Sequence, residues 1–144
     1  MPAATLWLLL GALVCASAFF SACETAFFSL SPGERRRAGA SVARLLEDPR
    51  GLLVTLLLSN LVVNLLFFAF AAGVVSGDAR TELAAGALAL FPLVLLGEVF
   101  PKSLALRARG AIARVAAAPL GLLVAVMRPV RRAASTMRRP SAMV

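Results

Sequence analysis

Between Leu93 and Lys102 the chain reads LVLLGEVFPK, which sets Glu98 inside a long apolar run, with Gly97 before it and Pro101 after it. An ionised glutamate near a bilayer centre costs about 2.5–3.5 kcal/mol on insertion scales, so it has to face protein, water or a counter-ion. Pro101 has no N–H to give to the carbonyl four residues back, which is that of Gly97. A freed carbonyl oxygen and a carboxylate are therefore predicted at one height of a kinked helix. Oxygen ligands of these two kinds suit a hard cation such as Mg²⁺. A plainer reading pairs Glu98 with Lys102, four residues on, as a helix-end ion pair.

The rest of the chain says what medium this helix sits in. Of 144 residues, 60% are hydrophobic and only 15% charged, with a mean hydropathy of +0.89. Soluble domains hold about 45–50% apolar and about 25% charged residues, so an all-α integral membrane protein is expected, a single transmembrane domain over 1–140. The net charge of +8 does not point to nucleic acid, because the basic residues flank apolar segments. That placement fits membrane topology and anionic headgroups. With no histidine and only Cys15 and Cys23, eight apart on one predicted helix, neither zinc-hydrolase chemistry nor a disulfide framework follows. Without a Ser–His pair or an HExxH motif, no enzyme is expected.

Three spans are predicted, at about 3–30, 50–76 and 81–106. The first lacks a basic flank and runs too long for a cleaved signal peptide. Its Ser17, Ser21, Glu24 and Thr25 fall at helical spacing and form a polar stripe. Ser17 is expected to bond back onto its own helix, while Ser21 and Glu24 together call for partners. Ser31-Pro32-Gly33-Glu34 starts a short amphipathic segment, two small helices broken near Gly39, with Arg35, Arg36, Arg37 and Arg44 toward headgroups. In the second span Asn60 and Asn64 share a face, with Ser59 about 100° round the helix. Such amides can also serve only as interhelical glue. Gly77-Asp78 marks the next turn. The third span carries Pro92 and Pro101, and its Ala84, Ala85, Gly86 and Ala89 allow close helix contact, including across a dimer. After it a kinked juxtamembrane helix is expected at about 108–135, with residues 110–127 along the inner surface, followed by a poorly ordered basic tail. Five arginines between 31 and 50 against Arg80 alone between 77 and 82 place the N-terminus outside and the C-terminus in the cytoplasm.

Four motifs, FSACETAFFSLSP, LLEDP, LLLSNLVVNLL and GEVFPKSLA, resemble in order and spacing the transmembrane domain of the CorC/cyclin-M (CNNM) Mg²⁺ transporters. The resemblance implies three spans, short cytoplasmic helices after the first, a juxtamembrane helix belt and a homodimer in the plasma (inner) membrane. It also implies Mg²⁺ export coupled to Na⁺ entry. The family's ion-site pattern falls on Ser21, Asn60, Asn64, the Gly97 carbonyl and Glu98, with Ser59, Glu24 and Thr25 as possible additions. Ser59 stands where many members have glycine, and Leu61 where many have a second asparagine. The cytoplasmic CBS domains that usually follow are absent from this sequence. The alternative is a membrane scaffold or regulatory anchor whose buried polar groups only hold helices together.

Overall fold

Prolines and short polar side chains punctuate the chain where its helices begin. The computed structural model describes residues 3–72 and 79–136. Helix α1 (Ala3–Ser29) is followed by two short helices, α2 (Pro32–Arg37) and α3 (Ala40–Leu45), and then by α4 (Pro49–Ala72). Helix α5 (Ala79–Val94) passes through a π-helical turn (Leu95–Val99) into α6 (Phe100–Thr136). No strand occurs among the described residues. The predicted end of the second span at 73–76, the Gly77-Asp78 turn and the tail beyond 136 lie outside the described residues.

The starts are built as the sequence suggests. Ser31 Oγ accepts the Glu34 N–H while the Glu34 carboxylate accepts the Ser31 N–H at 2.8 Å, a reciprocal cap with Pro32 in the first turn. Gly39, at φ 98°, takes the left-handed bend between α2 and α3 that a side chain would strain. Asp48 Oδ1 accepts the Gly51 N–H at 2.9 Å, capping α4 behind Pro49.

Three stretches are long and apolar enough to cross a membrane: Ala4–Ser29, Pro49–Ala72 and Leu83–Met127. The third runs past the predicted end at 106 because α6 continues helical on both sides of a break. That break is Ala108, at φ −121° and ψ 26°. It stands at the predicted start of the juxtamembrane helix.

Packing divides the bundle into layers. Leu10, Phe67 and Leu93 join α1, α4 and α5 in one buried apolar cluster. A second contains Cys23 and Phe27 of α1, Leu30 just after it, Val42 of α3, Leu52 and Leu56 of α4, and Ala113, Ala116, Ala117 and Leu120 of α6. The segment after the Ala108 break thus packs where α2 and α3 pack, at one end of the bundle. Apolar helices gain little from leaving lipid for one another, so small residues that let backbones approach carry the contact. Ala26, Ala105 and Ala113 are fully buried, whereas Trp7, Leu8, Leu88 and Phe91 point outward. Buried polar side chains, Ser17 and Ser21, lie between the two clusters along α1.

Candidate cation site

On α1 the polar side chains between the apolar layers are Ser17 and Ser21, both fully buried. Four residues apart, they lie on one face. Ser17 Oγ donates to Asn60 Oδ1 of α4 at 2.9 Å. Ser17 was expected to bond onto its own helix, and this overturns that expectation. The facing asparagine offers an acceptor that an intrahelical carbonyl, already in the ladder, does not match. Ser21 Oγ donates to the backbone carbonyl of Glu98 at 3.3 Å. Asn64 Nδ2 donates to Glu98 Oε1 at 3.3 Å. Two hydrogen-bonded groups, Ser17–Asn60 and Ser21–Glu98–Asn64, therefore make up a polar layer to which all three apolar stretches contribute.

The π-helical turn builds the third wall. Phe100 N–H reaches back five residues to the Leu95 carbonyl, widening the helix at Gly97 and Glu98. Such single-turn bulges recur at functional sites because they loosen backbone groups from the ladder. Pro101 just beyond removes a further donor. A π turn thus lies just before Pro101, where the kink is expected. The carbonyl that a side chain reaches there is that of Glu98. Gly97 is buried, and a Cβ built on it would stand 3.0 Å from Ser17 Oγ and 3.3 Å from Ser17 Cβ. Only glycine lets α1 come this close.

Asn64 Oδ1 is buried and has no hydrogen-bond partner among the described residues. An unsatisfied buried acceptor costs about 1–3 kcal/mol, so this oxygen is poised for a donor or a cation. No three Cys, Asp or Glu side chains gather among the described residues. The available ligands are one carboxylate with amide, hydroxyl and backbone oxygens, a set for a hard cation and not for a soft transition metal.

Other expected residues fall elsewhere. Ser59 and Thr25 are half-buried, and no hydrogen bond joins either to this layer. Glu24 lies one turn beyond Ser21, with its Oε2 3.9 Å from Lys102 Nζ. The Glu98–Lys102 pair is therefore not formed: Glu98 meets Asn64 and Lys102 meets Glu24. Both cysteines are free. Sequence reasoning missed Ser17 as a partner of Asn60, although its place four residues before Ser21 was the available signal. It also missed Arg109, whose Nε donates to Glu34 Oε1 at 2.8 Å and ties α2 to α6 just after the break. Together with the Ser31 bonds, which contribute most, this guanidinium holds the Glu34 carboxyl down at about 2.

Fold and site define a multi-pass helical membrane protein with a partly buried oxygen-rich layer between its spans. Residues 8–140 match the cyclin M transmembrane N-terminal domain, and the chain belongs to that family. It is 33% identical over 134 residues to a DUF21 domain-containing chloroplastic protein of Arabidopsis thaliana, covering 87% of this chain and 20% of the relative. A UPF0053 protein of Haemophilus influenzae is 35% identical over 115 residues, covering 73% of this chain and 27% of the relative. The chain thus spans no more than about a quarter of the length of these relatives.

Proposed function

We propose that this domain carries Mg²⁺ across the membrane through the layer formed by Ser21, Asn60, Asn64, the 97–98 backbone and Glu98, exporting it in exchange for Na⁺. The observation that carries the reading is the unpartnered Asn64 Oδ1 beside the Glu98 carboxylate. Two oxygens from different helices, one neutral and one charged, suit a small hard cation that keeps part of its water. Membership of the cyclin M family supports the transport class; the choice of Mg²⁺ and the Na⁺ exchange come from the motif resemblance. In this reading the protein works as a homodimer in the plasma (inner) membrane and is not an enzyme. Its N-terminus is outside and its C-terminus in the cytoplasm, with the α2–α3 arginines against anionic headgroups.

The scaffold reading rests on the bonds Ser17–Asn60 and Asn64–Glu98, which also tie helices together. Mg²⁺ flux in proteoliposomes separates the two. Glu98→Gln keeps an acceptor for Asn64 but removes the charge, so flux should vanish while the folded protein persists. Flux at the wild-type rate in Glu98→Gln would remove the proposed site.

A further inference from the structure

The polar face of α1 continues past the site. Ser17, Ser21 and Glu24 stand at positions i, i+4 and i+7, and each meets a different group across the bundle: Asn60, the Glu98 carbonyl and Lys102. Lys102 lies one turn beyond Glu98 on its own helix, about 6 Å along the axis by helix rise. It has two carboxylates within reach, and the structure places its ammonium 3.9 Å from Glu24 Oε2. Both residues lie within apolar stretches, Glu24 in Ala4–Ser29 and Lys102 in Leu83–Met127. Their side chains keep 28% and 44% of their exposure, so protein encloses the pair only in part.

Charge bookkeeping gives this pair a consequence. Glu98, Glu24 and Lys102 sum to one negative charge. Without the lysine the same walls would carry two, matching a divalent cation and holding it more tightly. From this we infer that Lys102 is a tethered resident cation: its ammonium occupies Glu24, keeps that carboxylate from becoming a Mg²⁺ ligand, and sets the affinity of the Glu98 site low enough for release. The inference deepens the cation reading of the same site and rests on it. Lys102 acts through the field at the site and through Glu24, as a positioning residue.

The test is a charge cycle read by calorimetry, titrating Mg²⁺ into the purified full chain at fixed ionic strength. A unit charge one to two turns from a divalent ion, at an effective dielectric near 20, changes binding by about a hundredfold or more, and the part exposure of the pair screens this toward tenfold. Lys102→Gln should therefore tighten Mg²⁺ binding about tenfold. Glu24→Gln should weaken it by a similar factor, because it leaves the lysine charge uncompensated beside Glu98. The double variant should return close to wild type, and Lys102→Arg should bind as wild type does. A purely structural ion pair gives a different pattern: both single variants lose affinity and melting temperature together. That result, or unchanged affinity in Lys102→Gln, overturns the inference while leaving the Glu98 site standing. If wild type and every variant fail to bind Mg²⁺, the cation reading falls and takes the tethered cation with it.

Discussion

Adding one carbon at Gly97 tests whether the close approach of α1 to the π turn matters. In Gly97→Ala the new Cβ would meet Ser17 Oγ at 3.0 Å, Ser17 Cβ at 3.3 Å and Leu93 Cδ1 at 3.5 Å. The hydroxyl can swing away only by giving up its bond to Asn60, and the Ser17 Cβ cannot move without the α1 backbone. Overpacking of this kind costs about 1–3 kcal/mol. The better helix propensity of alanine returns at most about 1 kcal/mol, leaving a net loss of about 0–2 kcal/mol. Gly121 is the control, because a Cβ there meets nothing within 4 Å. Gly121→Ala should keep or raise stability. Thermal melting of both variants in one detergent, with and without Mg²⁺, reads the difference. Gly97→Ala should melt below Gly121→Ala and gain less from added Mg²⁺, since moving Ser17 also disturbs Asn60. Equal melting temperatures, with equal gains from Mg²⁺, would refute the reasoning.

Two other outcomes are expected. Pro101→Ala supplies an N–H beside the widened turn, so melting temperature should hold or rise while Mg²⁺ affinity by calorimetry falls; unchanged affinity would leave the proline a packing role alone. The Glu34 carboxyl is lowered from 4.5 to about 2, so its contribution to stability is complete above the ordinary carboxylate value and is lost as pH falls toward 2. Melting of Glu34→Gln against wild type should show a gap at pH 6 that closes between about pH 4.5 and 2, and a gap independent of pH would contradict the assigned partners.

Sequence reasoning reached the architecture because the signals there are local. Apolar run length gave the three spans, Ser31-Pro32-Gly33-Glu34 gave the start of α2, and Gly39 gave the break before α3. It also singled out Glu98, Asn60 and Asn64, since each is costly in hydrocarbon without a partner. Which partner each takes depends on helix rotation and height, which no local pattern encodes. Lys102 is four residues from Glu98 in sequence yet is held by Glu24 across the bundle. Ser17 could satisfy itself within α1 but finds Asn60 instead. The π turn was hidden for a related reason. Gly97 and Pro101 show that the ladder is disturbed there, but not that the disturbance takes the form of a π turn.

The layering bears on how such a site could release what it binds. A transport site has to hold a divalent ion without keeping it, and a pocket of several carboxylates would keep it. Here the Glu98 carboxylate accepts from Asn64, while Ser17 bonds to Asn60 and Ser21 to the Glu98 carbonyl. If the layer binds Mg²⁺ as proposed, each bond would be exchanged for an ion contact and remade on release, so that few groups would go unsatisfied at either stage. The apolar clusters on either side hold the helices in register while that exchange occurs. Under the same proposal Asn64 Oδ1, which has no hydrogen-bond partner among the described residues, is the atom an arriving ion would satisfy without breaking an existing bond.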